Sequence, residues 1–293
     1  MALDSHNNVF GRVLNPLNLR LTAGGSSGGE SALLAMRGSA LGVGTDVGGS
    51  VRIPAMCGGL YGVKPSWQRL PFGRHEIGVP AGASKLGLQT SVGPIGRSLR
   101  DCGMFLRAVA EMGPWRYDAD VVCGDWESQG DVRGGQVRMG LVKRDGVVEP
   151  LPPVQKLLDE VVGALSKRSV KVVELDITAL LKQCQSLANQ FFGIDGNNAW
   201  LDLLAKTGEP LSPWLSTRLR RKKPLGLEQL RTLHARRDEL RNKFLSVWKQ
   251  VDAFICPIAP HPIPPIDRWN GVSYTSSFVL LDFPAGVSAN LFL

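Results

Sequence analysis

No two cysteines in this sequence stand in C-x-x-C spacing, and no histidines form an H-x-x-x-H or H-E-x-x-H pattern. Cys57, Cys102, Cys123, Cys184 and Cys256 are odd in number and scattered, which argues against a zinc cage or a disulfide framework. Reduced thiols of an intracellular compartment fit this usage. His6, His75, His234 and His261 lie far apart, so no metal set is expected. No run of 18 apolar residues exists, and the opening "MALDSHNNVF" lacks the basic and apolar stretches of a secretory leader. There is no internal repeat and no linker poor in apolar residues. These absences predict one α/β domain over residues 1–293, cytoplasmic, with no metal and no cofactor.

Charge is plentiful but poorly organised. The net charge of +8 is spread along the chain, with one tight run at Arg218-Leu219-Arg220-Arg221-Lys222-Lys223. No nucleic-acid-binding motif accompanies that run, so it reads as a solvated segment between helices. Neither nucleic acid nor a membrane is an expected partner, and a homodimer is left open.

Periodicity places the elements. Ser98 precedes a helical pattern with Asp101 three residues on, and Leu99, Cys102, Phe105, Leu106 and Val109 share a face. Val137–Val142 reads as a strand, Pro152-Pro153 open a helix, and Val170–Leu175 reads as a second strand. That order is a crossover unit of an α/β sheet. The predicted buried face of this helix is Val154, Leu157, Leu158, Val161, Val162 and Leu165. Thr178 to Trp214 is expected to be helical in part. Leu227–Lys249 is a charged amphipathic helix with Leu230, Leu233, Leu240, Phe244 and Val247 inward. It leads to the strand "VDAFICP" and then to a proline-rich loop, since proline cannot serve inner strands. The final "LLDFPAGVSANLFL" is expected to enter another core strand, and both ends of the chain read as cut.

What the sequence has in excess is glycine around serine. "TAGGSSGGESALLAMRGSALGVGTDVGGSVRIPA", Thr22 to Ala55, reads as one turn-rich stretch carrying Ser26 and Ser27 between paired glycines, and Ser50 after Gly48-Gly49. Such glycine density costs backbone entropy and needs a reason. A serine hydroxyl becomes a nucleophile only when a base takes its proton and donors hold the oxyanion that forms. Glycines before a serine let successive N–H groups point into one concavity, and let a carbonyl approach. Other readings fit less well. No lysine follows the glycines as a phosphate cradle requires. Gly24–Gly28 and Gly25–Gly29 match the loose G-x-S-x-G nucleophile elbow, for which His234 or His261 would have to be recruited and Ser50 would be left without a purpose. A glycine turn that only packs backbones closely is the remaining alternative.

The two serine sites, Gly24–Glu30 (GGSSGGE) and Gly44–Ala55 (GTDVGGSVRIPA), resemble the amidase signature family of serine hydrolases. Further similar pieces are "FGRVLNP" at Phe10–Pro16, "GLYGVKPS" at Gly59–Ser66 and "SVGPIGRSLRD" at Ser91–Asp101. "PWRYDADVV", "DGVVEPLPPV" and "LLDFPA" resemble the fungal acetamidase branch. The resemblance implies a mixed central β-sheet flanked by helices on both faces. It implies a Ser–cis-Ser–Lys triad, with Ser50 as acyl nucleophile and Ser26 as the bridging serine beside a cis peptide bond. It further implies an oxyanion hole from the amides of Val47, Gly48, Gly49 and Ser50, supported by Ser27, Asp46 and Arg52. The implied reaction is hydrolysis of a small acyl or aryl amide, with that amide as the small-molecule partner.

One member of the triad is missing from the pattern. The family's lysine precedes the serine pair, whereas the first lysine here is Lys64, at a different family position. The expectation is therefore a chain short of its N-terminal lysine-bearing part and of its C-terminal end, without ordinary turnover as it stands. The alternatives left open are a non-catalytic remnant or fragment of an amidase, or an amidotransferase-like subunit.

Overall fold

The computed structural model describes residues 3–73, 86–124, 126, 136–269 and 271–288. His75 and the last five residues of the terminal apolar run lie outside them. The fold is α/β, and among the described residues its parallel and antiparallel pairings occupy separate sheets. Strands β3 (Leu41–Asp46), β4 (Tyr61–Lys64), β5 (Ser91–Gly96) and β9 (Ala285–Ser288) form an antiparallel sheet in the order β3-β5-β4-β9. Strands β6 (Arg138–Leu141), β7 (Lys171–Glu174) and β8 (Ala253–Ile255) form a parallel sheet in the order β7-β6-β8. A short hairpin, β1 (His6–Asn7) and β2 (Gly11–Arg12), lies near the start.

The stretch that reads as turns from Thr22 to Ala55 is mostly regular. It holds helix α1 (Gly28–Ala35), strand β3 and helix α2 (Arg52–Cys57). The glycines mask these elements in sequence because they serve close packing. A Cβ on Gly42 would sit 2.6 Å from the Glu30 side chain, and one on Gly44 2.5 Å from Ser27 Oγ. Strand β5 also escapes sequence reading, since "SVGPIG" has the composition of a turn. Pro94 lies opposite Val43 and next to Ile95 and Gly96, the two residues at which β5 pairs with β4.

Helix α3 (Leu99–Glu111) starts where expected, with Ser98 Oγ accepting the Asp101 amide at 3.1 Å. Of its predicted inner face only Cys102 is buried. Phe105, Leu106 and Val109 are half-buried, and Leu99 is exposed. Helix α4 (Pro152–Ser166) carries proline at its first position and joins β6 to β7, which run parallel as the crossover pattern predicts. It buries Val154 and Leu158 and leaves the other four predicted residues half-covered. Helices α5 (Thr178–Phe192), α6 (Asn198–Thr207) and α7 (Pro213–Ser216) occupy the mixed region.

Helix α8 (Leu227–Trp248) buries Leu233, Leu240, Phe244 and Val247 of its predicted face and leaves Leu230 half-buried. Helix α9 (Ser273–Leu280) is buried along its whole length. The main core forms where α5, α8 and α9 meet the ends of the parallel sheet, through Val142, Leu187, Phe191, Phe244, Val251 and Phe278. A second cluster of Leu34, Val51, Ala55, Leu60 and Ile95 lies between α1, α2 and the antiparallel sheet. Full burial of a side chain such as Val51 contributes about 1.5–3 kcal/mol. Because Val51 follows Ser50 directly, that packing also anchors the serine turn. The basic run is an irregular segment tied down by backbone contacts. Lys222 N–H donates to Gly196 O at 2.9 Å, and Arg221 pairs with Asp202 at 2.7 Å.

Candidate active site

The two serine sites meet in space. The Ser27 amide donates to Ser50 O at 3.3 Å, joining the turn before α1 to the turn between β3 and α2. Ser26 is exposed at the rim and Ser50 is buried. The Gly25–Ser26 peptide bond is cis. Neither the Ser26 nor the Ser50 hydroxyl has a hydrogen-bond partner among the described residues, and no lysine or histidine there bonds to either. His234 Nε2 faces Leu86 O at 3.2 Å, and His261 Nδ1 faces Pro262 O at 2.8 Å, so neither histidine completes a nucleophile elbow.

The Ser50 turn is fixed by a buried ion pair. Arg52 Nε and Nη2 donate to Asp46 Oδ2 and Oδ1 at 2.9 and 3.1 Å, and Nη2 donates also to Thr275 O at 3.0 Å. The same carboxylate accepts the Gly49 amide at 2.7 Å and the Val51 amide at 3.3 Å, one on each side of Ser50. Burial by itself would raise the Asp46 pKa, but the Arg52 charge and hydrogen bonds, with the Gly49 amide, hold the carboxyl below its ordinary value. Thr275 Oγ1 donates to Gly48 O, so the start of α9 closes the turn from the other side.

The four amides of the expected oxyanion hole differ in their partners. The Gly49 amide is already committed to Asp46. The Val47, Gly48 and Ser50 amides have no acceptor among the described residues, and these three are the donors a developing negative charge can use.

The other serine turn is shaped by a residue that sequence reading passed over. Ser5 Oγ lies 3.0 Å from both Gly24 O and Ser26 O and accepts the Gly28 amide at 2.9 Å. A Cβ on Gly28 would stand 2.4 Å from that hydroxyl oxygen, and one on Gly25 2.4 Å from Asp4 O. Asp4 in turn accepts from Thr22 Oγ1 at 2.9 Å and pairs with Arg12. Thr22 N–H reaches Pro264 O at 3.0 Å, which brings the proline-rich loop against the same turn. A lone serine in "MALDSHNN" carries no sequence signal for this role. Ser5→Ala leaves the buried Gly28 amide and the Gly24 and Ser26 carbonyls without this partner, and is expected to cost about 1–3 kcal/mol in urea denaturation.

Lys64 is fully buried at the end of β4. Burial and the nearby Arg52 charge push its pKa down to about 8, with Asp46 and Asp282 opposing. Of the aromatic residues of Asn189–Trp200, Phe191 lies in the main core and Phe192 packs against it, while Trp200 is exposed. A cleft of about 460 Å³ at the carboxyl ends of β6 and β7, lined in part by Lys143, Glu149, Glu174 and Asp176, includes none of the three serines. Among the described residues no group of three or more His, Cys, Asp or Glu could hold a metal ion, and no helix is long and apolar enough to cross a membrane.

Comparison with known proteins supplies the context for this geometry. A model of the family described as Amidase matches residues 1–292. The chain is 31% identical over 302 residues to an acetamidase of Aspergillus oryzae, covering 98% of this chain and 55% of that protein. It is 31% identical over 303 residues to an acetamidase of Emericella nidulans, with 98% and 54% covered. A solved structure of a fatty acid amide hydrolase superposes with a TM-score of 0.90 at 31% identity, over 97% of this chain and 50% of that one. The chain thus spans about half the length of the curated relatives it matches.

Proposed function

The chain belongs to the amidase family, and from this premise we propose that it carries the serine half of a centre that hydrolyses the C–N bond of a small acyl or aryl amide. Ser50 Oγ attacks the carboxamide carbon, and the carbonyl oxygen becomes an oxyanion held by the Val47, Gly48 and Ser50 amides. Ser26 receives the Ser50 proton and passes it toward the base and the leaving nitrogen. Collapse expels ammonia or an amine and leaves an ester on Ser50, which water then hydrolyses. Asp46 and Arg52 contribute by fixing the turn, since a preformed set of donors costs no reorganisation when charge develops.

The observation that carries this reading is the buried Ser50 hydroxyl on a turn with three amides left without acceptors, beside the exposed Ser26. Ser50→Ala is expected to abolish release of ammonia from acetamide and benzamide, measured against the wild-type chain. Release retained in the variant would remove Ser50 from the role of nucleophile. A second reading is favoured by the Ser26 hydroxyl, which has no hydrogen-bond partner among the described residues. Without a base to take its proton, the site would bind amides without turning them over. Benzamide binding with no ammonia released by the wild-type chain selects that reading.

A further inference from the structure

The first turn of α9 buries three consecutive hydroxyls, those of Tyr274, Thr275 and Ser276. Burying a hydroxyl is costly unless it is hydrogen-bonded. Successive side chains leave a helix about 100° apart, and these three reach three separate elements. Tyr274 donates to Val148 O at 2.6 Å, in the loop between β6 and α4. Thr275 donates to Gly48 O, and Ser276 to Gln185 Oε1 on α5. The residues that α9 gives to the main core, Phe278, Val279 and Leu280, lie in its second half. Directional polar bonds therefore set the position and rotation of the first turn.

The Val148 end of this junction is a firm anchor. Asp145 Oδ1 accepts the Val147 and Val148 amides at 2.8 and 3.0 Å, which closes the loop on itself. A Cβ on Gly146, where φ is +75°, would stand 3.0 Å from Thr178 O, so the loop also packs on the start of α5. The Asp145 amide donates to the Tyr274 hydroxyl at 3.4 Å, and that oxygen is thus tied to the loop twice. At the other end Thr275 grips one peptide plane, since Gly48 C=O and Gly49 N–H belong to the same planar unit. Thr275 Oγ1 holds its oxygen, and Asp46 holds its N–H at 2.7 Å. Thr275 O also accepts Arg52 Nη2 at 3.0 Å. The two planes that flank this one carry the Gly48 and Ser50 amides, both without an acceptor among the described residues.

We propose that Tyr274 is a positioning residue for the Ser50 turn. Its hydroxyl fixes the first turn of α9 on the Asp145–Val148 loop, and so holds Thr275 where it orients the Gly48–Gly49 peptide and aims the Gly48 and Ser50 amides. The consequence for reactivity rests on the reading of Ser50 as nucleophile; the consequence for the amides does not. An ångström of misplacement costs about a hundredfold in rate, so a bond that fixes one helical turn weighs more on chemistry than on stability.

The test compares the wild-type chain with Tyr274→Phe, Thr275→Val and the double variant. It follows the ¹⁵N and ¹H shifts of the Gly48, Gly49 and Ser50 amides, amide hydrogen exchange, and the rate at which a fluorophosphonate labels Ser50. Tyr274→Phe is expected to fold, to move the three amide signals and to slow labelling about tenfold, less than the roughly 10²–10³ lost with a whole oxyanion donor. Thr275→Val slows labelling further, and the double variant is no slower than Thr275→Val alone, because the two hydroxyls act in series. A hydroxyl with a merely structural role would add its effect to that of Thr275→Val, and that result overturns the proposal. Amide signals unmoved in Tyr274→Phe overturn it too. In the wild type the Asp145 and Gly49 amides are expected to exchange with one common opening constant. A Gly49 amide that opens while Asp145 stays protected overturns the proposal without any variant having to fold. Amides that move in a chain whose Ser50 is never labelled uphold the positioning and count against Ser50 as the nucleophile. Amides that move with labelling unchanged overturn the claim on reactivity.

Discussion

Arg52→Ala is expected to destabilise the folded chain by about 3–5 kcal/mol at neutral pH, the cost of leaving one partner of a buried pair uncompensated. Arg52 and Asp46 are both buried, at 3% and 0% exposure, so solvent does little to soften the loss. The pH dependence has a definite sign. In the wild type the folded Asp46 pKa lies below its ordinary value. Its contribution is therefore present above the unfolded pKa of about 3.9 and is lost as pH falls through the folded value. In Arg52→Ala burial dominates and the folded pKa moves above the unfolded one, so stability is lost as pH rises through it. The deficit relative to wild type should thus be larger at neutral pH than at pH 4–5 (close to the ordinary carboxylate pKa), as denaturant titration at both values would reveal. A deficit independent of pH would mean that Asp46 is not the group left stranded. Replacing both residues with apolar ones should not restore stability, because Asp46 also holds two backbone amides.

Gly49→Ala is the second large effect. Gly49 has φ of +125°, which L side chains rarely adopt, and an added Cβ would lie 2.6 Å from Thr275 Oγ1 and 2.7 Å from Ile53 Cδ1. Backbone strain of about 1–3 kcal/mol adds to about 1–3 kcal/mol of overpacking. The chain can relieve this only by parting α9 from the turn, which breaks the Thr275–Gly48 hydrogen bond and shifts Ser50. The expected outcome is a loss of several kcal/mol in thermal or urea unfolding together with loss of Ser50 labelling. Near-wild-type values in both would show that the turn is looser than this geometry.

The elements most legible in the sequence were those whose pattern depends on side chains. The amphipathic period of α8, the serine cap of α3 and the strand–helix–strand order around α4 are each written in residue types. The antiparallel sheet that carries the serines was harder to read. Strands β3 and β5 are built from glycine and proline because helices and neighbouring strands approach their backbones too closely for side chains. Residues chosen for close approach look like turns until the neighbours are in place.

The candidate site divides in the same way. Ser26, Ser50, Asp46 and Arg52 lie in one glycine-marked stretch, and its resemblance to a known family named them. Ser5 and Thr275 reach the same turns from 21 residues before Ser26 and from 225 residues after Ser50. Each has an ordinary local context, and only the fold brings one hydroxyl to the Gly28 amide and another to Gly48 O. The amide of Gly49 illustrates the limit within the motif: spacing places it in the concavity, but spacing does not tell that Asp46 already holds it.

The account rests on Ser50 being the reactive hydroxyl and Ser26 its relay. The most direct measurement is to treat the wild-type chain with a fluorophosphonate and map the adduct by peptide mass spectrometry. The account predicts an adduct on the peptide containing Ser50, absent in Ser50→Ala and slower to form in Ser26→Ala. An adduct on Ser26 or Ser27 with Ser50 unmodified, or labelling undiminished in Ser50→Ala, would contradict it.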